Sequence, residues 1–332
     1  MLEIGLDTFG DRTAGPDGQL VSHAQAIRNV VEQAVVADQV GLAFIGVGEH
    51  HRDDFAVSAP EVVLAAIASR TQQIRLGSAV TVLSTDDPIR VFERFSTVDA
   101  LSNGRAEVIL GRGSFTESFP LFGFELAQYE QLFDDKLELY AKVRGGERVR
   151  GMTVYPPAEQ GPLTTWVGVG GTPQSVVRAA YYGFNLMLAI IGGEPARFAP
   201  FVELYRRALA EAKHPTDLPV GCHSPGHVAD TDEQAREELW PHFLAQRTKI
   251  GAERGWPPPS RAQFDREAGP TGALFVGSPE TVAQKIAATA KVLQLSRFDL
   301  KYSNGPLPHD RMLRSIELIG TKVVPRVREL MA

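Results

Sequence analysis

Cysteine is almost missing: Cys222 is the only one in 332 residues. The chain therefore has no intrachain disulfide framework and no thiolate metal cluster, and it suits a reducing compartment. Concentrated charge is missing too. Lys and Arg number 34 against 40 Asp and Glu, for a formal net charge of −6, whereas a surface that grips nucleic-acid phosphates or anionic lipid needs clustered Lys and Arg. No stretch approaches the roughly 18 consecutive apolar residues of a membrane-spanning helix, and the opening "MLEIGLDTFGD" lacks the basic-then-apolar order of a secretory leader. These absences point to a cytoplasmic protein acting on small molecules, with neither a nucleic-acid nor a membrane partner. A last absence bears on fold: the first apolar run meets no G-x-G-x-x-G turn and passes into the polar "FGDRTAGPDGQL", which is long for a dinucleotide-binding turn.

What the chain does have is alternation. Short apolar runs ("LEIGLDTF", "AFIGVGE", "IRLGSAVTVL", "AEVILGRG", "TTWVGVGG", "NLMLAII", "LPVGCHSPGHVAD", "RFDLKYS") are separated by helical patterns over 22–40, 60–72, 88–103, 128–144, 173–183, 195–213, 232–250 and 309–330. Near-continuous apolar strands joined by crossover helices require a parallel sheet covered on both faces. Eight such units make a TIM (β/α)8 barrel, favoured over a doubly wound sheet, in a single domain spanning 1–332. Ser22, and the pairs Asp87-Pro88, Thr172-Pro173 and Ser278-Pro279, read as helix starts with a capping side chain. The segment 251–273, "GAERGWPPPSRAQFDREAGPTGA", breaks the rhythm as a long insertion before the last strand, either an ordered excursion or a mobile lid.

Barrel chemistry sits where strands end at their C-terminal side. The residues there are Thr8 and Phe9; Glu49, His50 and His51; Ala79 to Ser84; Gly111 to Ser114; Gly170 to Thr172; and His223 to His227. Neighbouring strand residues face opposite ways, so the adjacent His50 and His51 are poor joint metal ligands, and no metal site is expected. If Phe44, Gly46 and Gly48 face inward, so does His50, as a proton carrier or hydrogen-bond donor, unless both histidines only hydrogen-bond neighbouring loops. In "GVGGTPQSVV" the glycines and the hydroxyls of Thr172 and Ser175 precede a helix whose positive end favours an anion, which reads either as a phosphate cup or as a tight capped turn. Arg112 is placed to neutralise a phosphate there, or to form an ion pair with Glu117 or a neighbouring helix. Gly77, Ser78 and Ala79, ahead of Val80, leave room for something flat, unless they only pack tightly.

Taken in order, "GEHHRDDF", "IRLGSAVTVLSTDDPIRVFERFSTVDALSNGRAEVILGRG", "FPLFGF" and "WVGVGGTPQSVVRAAYYGFNLML" resemble the bacterial luciferase-like flavin monooxygenase family over almost the whole length. The long second segment is the specific one. The resemblance implies a barrel that binds reduced FMN supplied by an NAD(P)H:flavin reductase, and that uses O2 to oxygenate a small organic substrate. It implies a shelf for the flavin ring at Ala79 and Val80, joined by a non-prolyl cis peptide, and a phosphate site at Arg112, Gly170, Gly171, Thr172 and Ser175. His50, with Glu49, would be catalytic, 251–273 would be a lid, and a homodimer is common. Relatives often carry a phosphate-binding arginine on the helix after the "LFGF" loop, where this chain offers Glu130 or Leu132. Alternatives are a coenzyme F420-dependent dehydrogenase or reductase and a non-catalytic flavin-binding protein of the same fold.

Overall fold

The computed structural model of the chain describes residues 1–113 and 115–332; Ser114, among the strand-end residues above, lies outside the described residues. The strands are β1 (Glu3–Thr8), β2 (Phe44–Val47), β3 (Arg75–Ser78), β4 (Thr81–Val82), β5 (Ala106–Gly111), β6 (Thr164–Val169), β7 (Asn185–Ala189), β8 (Val220–Val228), β9 (Phe275–Gly277) and β10 (Arg297–Lys301). All pair in parallel in the order β10-β1-β2-β3-β5-β6-β7-β8, and β10 also pairs with β8. That last pairing closes an eight-stranded barrel, the expected fold, and excludes the open doubly wound sheet. Beyond the barrel wall, β4 extends the β3 side onto β5, and β9 pairs with the far half of β8.

Around the barrel lie α1 (His23–Gln39), α2 (Pro60–Ala68), α3 (Pro88–Leu101), α4 (Ser118–Phe122), α5 (Tyr129–Arg144), α6 (Pro173–Tyr181), α7 (Ala199–Glu211), α8 (Asp232–Arg254), α9 (Arg261–Glu267), α10 (Pro279–Leu293), α11 (His309–Leu318) and α12 (Val324–Met331). Ser22, Asp87 and Ser278 cap α1, α3 and α10 through their side chains, as their positions before the helices imply. Thr172 precedes α6 but makes no cap; its hydroxyl is spent elsewhere. Among the described residues no helix is long and apolar enough to cross a membrane.

Strand alternation separates two environments. Leu6, Ile45, Val47, Leu76, Val108, Leu110, Val167, Val169, Leu186, Leu188, Phe298 and Leu300 bury outward against the helices in one continuous core. Cys222 belongs to that core, and burial pushes its thiol up to about 12, which leaves a small inert side chain. The inward face is different. Phe44, Ile109, Trp166 and Met187 share it with charge: Arg297, fully buried, stacks between Phe44 and Trp166 at 4.0 and 4.1 Å and pairs with Glu107 at 2.6 Å and Asp299 at 3.1 Å. A buried guanidinium persists only with such partners. The last strand is thus not continuously apolar: "RFDLK" alternates, with Phe298 and Leu300 outward and Arg297 and Asp299 inward.

The segment 251–273 is built differently from its sequence reading. Helix α8 runs past residue 250 to Arg254 and ends on Gly255 in the left-handed region (φ 70°). After the prolines, α9 buries Phe264 against Ala235, Leu239 and Phe243. The buried Lys285 ammonium donates to the carbonyls of Glu267, Gly269 and Leu274 at 3.3, 2.6 and 2.8 Å, so the far end of the segment is tied to α10. Lys285→Met leaves those carbonyls without their donor. It is expected to lower unfolding free energy by about 2 kcal/mol, read as a lower urea midpoint; an unchanged midpoint would show that the anchor is idle.

Candidate active site

A cavity opens at the C-terminal ends of the barrel strands, lined by residues of β1, β4, β5, β6, β7, β8 and β10 and of loops that follow strands, among them the loop after β2. Of the nine site residues named from the sequence, six line it, Glu49, His50, Ala79, Val80, Arg112 and Gly170, and Gly171, Thr172 and Ser175 do not; the six follow strand ends, where side chains leave the packed barrel and backbone groups are freed from the sheet.

The first wall follows β2. That strand stops at Val47, so strict alternation no longer governs the two histidines, and both border the cavity. His50 is nearly buried among Phe9, Phe55 and Phe115, with ring centroids 4.7, 4.4 and 5.1 Å away. Its Nδ1 lies 3.5 Å from Glu117 Oε1. Burial would raise Glu117, yet the hydrogen bond from His50 leaves that carboxyl below its ordinary value, so an anion stands behind the imidazole. Glu117 therefore partners His50 and not Arg112. Glu49 has both oxygens engaged: Oε1 accepts from His51 Nε2 at 3.0 Å and Oε2 from the Val82 amide at 2.8 Å. It braces the loop that follows β3, which makes it a holder of the wall.

The second wall is the loop after β3. Ala79 and Val80 line the cavity and are joined by a cis peptide. The Glu49 amide donates to the Val80 carbonyl at 3.3 Å. Val80 lies over Gly111 and Gly168, where an added Cβ would stand 2.5 and 3.2 Å from its methyl groups; those two glycines admit the shelf. Gly77 serves a different end, since a Cβ there would stand 2.7 Å from the Phe44 ring. Its space is filled by Phe44 and is not room for a flat ligand. Ser78 Oγ donates to the Ile109 carbonyl and accepts from the Ile109 amide, tying β3 to β5.

The third wall joins β5 to β6. Arg112 and Gly170 line it, and Arg112 donates to Thr172 Oγ1 at 3.2 Å, which in turn lies 2.8 Å from Ser175 Oγ. An added Cβ at Gly170 or Gly171 would meet nothing within 4 Å, and Gly171 has φ +137°, so this turn is an open cradle at the head of α6. The departure noted on the helix after "LFGF" has an unexpected form. Glu130 binds Arg112 and also Arg178, at 2.9 Å, and Arg178 further pairs with Asp134. Two guanidinium groups converge where one was expected, and Glu130 occupies both. Arg178 was missed, though it lies three residues after Ser175, one helical turn along α6, a spacing that puts both on one face.

Of the floor, only His223 stood among the strand-end residues; Asp7 and Asp299 were missed. Asp7, His223 and Asp299 reach it from β1, β8 and β10. His223 Nδ1 donates to Asp7 Oδ2 at 2.5 Å, and Asp299 is the Cα partner of both Gly5 and His223 in the sheet. Burial, opposed by Arg297 and reinforced by Asp7 and Glu107, pushes the Asp299 carboxyl up to about 7. The alternation in "RFDLK" was the available signal.

Arg254, at the end of α8, stands 4.8 Å from the Phe115 ring and 5.2 Å from Trp256, and Arg52 grips Glu253.

A model of the family described as luciferase-like monooxygenase matches residues 8–294. N-acetyl-S-alkylcysteine monooxygenase of Bacillus subtilis is 29% identical over 243 residues, which cover 70% of this chain and 69% of that protein. Among solved structures, monooxygenase RslO1 of Streptomyces bottropensis superposes with a TM-score of 0.84 at 22% identity, over 98% of this chain and 99% of that one. The oxygenating constituent of 3,6-diketocamphane monooxygenase from Pseudomonas putida, a complex with FMN, gives a TM-score of 0.78 at 18% identity, covering 98% and 99%. The match spans the shelf, the cradle and the histidine wall alike, and the chain belongs to the luciferase-like monooxygenase family, an oxidoreductase that uses oxygen.

Proposed function

We propose that this protein binds reduced FMN, delivered by a separate NAD(P)H:flavin reductase, and oxygenates a small organic substrate. The observation that carries the reading is one cavity lined both by an apolar shelf at Ala79 and Val80 and by Arg112 and Gly170, with Gly171, Thr172 and Ser175 joined to Arg112 behind it through the Thr172 and Ser175 hydroxyls. The residues fit the group. Arg112 and the first turn of α6 would meet the phosphate, and the shelf would meet the flat ring. Bound there, reduced flavin supplies the electron pair with which one oxygen atom goes to substrate and the other leaves as water.

In this reading His50 carries the proton that the reaction needs, and Glu117 holds its ring and balances its charge. Glu49 acts by fixing the shelf and His51. Phe115, Arg254 and Trp256, with the end of α8, cover the mouth and keep bulk water from the flavin. The segment 251–273 acts as the lid at its first residues only, because its far end is anchored by Phe264 and Lys285. We also place the protein in the cytoplasm as a homodimer, with the apolar α2, whose Val62 is 70% exposed, as the contact.

The test is a flavin titration followed by a substrate screen. FMN should bind with a changed absorbance spectrum, and reduced FMN with oxygen should add one oxygen atom to a compound in the screen, detected by mass spectrometry. Tight binding of F420 with none of FMN would instead make the protein a hydride-transfer enzyme.

A further inference from the structure

The proposed flavin site makes no use of the floor of the cavity, whose hydrogen bonding is incomplete. Asp7 and Asp299 are each about 1% exposed and both line the cavity. Asp7 Oδ1 and Asp299 Oδ1 have no hydrogen-bond partner among the described residues. Buried carboxylate oxygens rarely stay unpaired, and leaving them so is costly. His223 gives its Nδ1 hydrogen to Asp7, so Nε2 is the ring nitrogen left for an occupant of the cavity.

Charge points the same way. Asp7, Asp11, Glu107 and Asp299 stand inside the barrel mouth and body against Arg75, Arg297 and Lys301, more acid than base. Each base already pairs with acid, Arg297 with Glu107 and Asp299, Lys301 with Asp11, Arg75 with Glu3 and Glu107, while Arg297 Nε and Nη2 make no hydrogen bond among the described residues. None of the three lines the cavity.

Barrel order fixes which reactant meets this floor. In the ring β10-β1-β2-β3-β5-β6-β7-β8, the strand opposite β8 is β3, opposite β10 is β5, and opposite β1 is β6. The shelf and the phosphate cradle belong to β3, β5 and β6. Asp7, His223 and Asp299 therefore face a ring held on the shelf from across the cavity, where the second reactant lies.

We propose that Asp7, His223 and Asp299 form the recognition site for the organic substrate, and that this substrate is an amine bound as its ammonium ion. An ammonium brings N–H donors and positive charge with no acceptor of its own. The floor offers Asp7 Oδ1, Asp299 Oδ1 and His223 Nε2 as acceptors. An alcohol brings a single donor and no charge, and a carboxylate would be repelled. The apolar remainder of the substrate would lie against Phe9, which stacks on His223 with centroids 6.3 Å apart, and against Met187. The inference rests on the flavin reading for its assignment of the opposite wall.

Three isosteric probes test it: benzylamine, benzyl alcohol and benzoate, titrated calorimetrically at pH 8 into the protein as isolated, with FMN titrated separately. Benzylamine should bind at least tenfold more tightly than benzyl alcohol, and benzoate should give no measurable binding. In Asp299→Asn and Asp7→Asn the preference for amine over alcohol should fall below threefold. Equal binding of amine and alcohol by the unaltered protein, or preferred binding of benzoate, overturns the proposal without recourse to any variant. So does an amine preference that survives both substitutions. If the amine preference is present and FMN does not bind, the flavin reading fails while the ammonium site stands; if FMN binds and the preference is absent, only the ammonium site fails.

Discussion

His50→Ala should slow oxygenation of any substrate found in the screen by about a hundredfold to ten-thousandfold, the range for loss of a positioned proton carrier. FMN affinity should change by no more than about threefold, because a proton carrier of this kind adds little to ground-state binding. His50 is almost enclosed by Phe9, Phe55 and Phe115, so alanine leaves a ring-sized hole, and a purely structural loss has to be separated from a chemical one. Added imidazole does this. It should enter the hole and restore part of the rate in His50→Ala, leaving the unaltered enzyme unaffected. A variant with full rate, or a slow one that imidazole cannot help while its FMN affinity is intact, would remove His50 from the chemistry. Glu117→Gln gives the companion result. With the anion behind the ring gone, the rate should fall by roughly tenfold, less than for loss of the ring itself.

The second large effect concerns phosphate. Arg112→Ala should weaken FMN by about tenfold to a hundredfold, since a charge-assisted hydrogen bond contributes about 1.5 to 3 kcal/mol. Riboflavin, which has the same ring and no phosphate, should bind the variant and the unaltered protein alike. Glu130→Gln should act in the opposite direction. Glu130 binds Arg112 and Arg178 together, so a phosphate entering the cradle must compete with its carboxylate for both. Neutralising it should tighten FMN severalfold and again spare riboflavin. Flavin fluorescence titrations of both ligands decide the matter. Equal weakening of FMN and riboflavin by Arg112→Ala would move that arginine away from the phosphate, and looser FMN binding in Glu130→Gln would mean that the carboxylate aligns the arginines more than it blocks them.

These two sites were unequally legible in the sequence. The strand-end positions of Arg112, Gly170 and His50 follow from local pattern, and all three line the cavity, but the phase that was to separate His50 from His51 does not hold past the end of β2 at Val47. Their partners do not follow. From the sequence, Glu117 reads only as a partner for Arg112, and the loop path after β5 brings it to His50 instead. Glu49, adjacent to His50, reads as a second catalytic group until its two oxygens are seen to be bound to His51 and Val82.

By itself the sequence determined the barrel and the end of it that carries the site. Strand and helix periods, turn residues and helix caps are encoded within a few neighbouring positions, and eight βα units of this kind admit closure into one parallel ring. Tertiary structure alone decided which polar groups meet inside that ring. Arg178 reaches Glu130 across 48 residues and His223 reaches Asp7 across 216, and no local period reports a contact between strands that are brought together only when β10 closes on β1 and β8. For the same reason the charged interior was not evident: the alternation of "RFDLK" shows that one face is polar, but whether that face is solvent or the inside of a barrel depends on which side the helices cover.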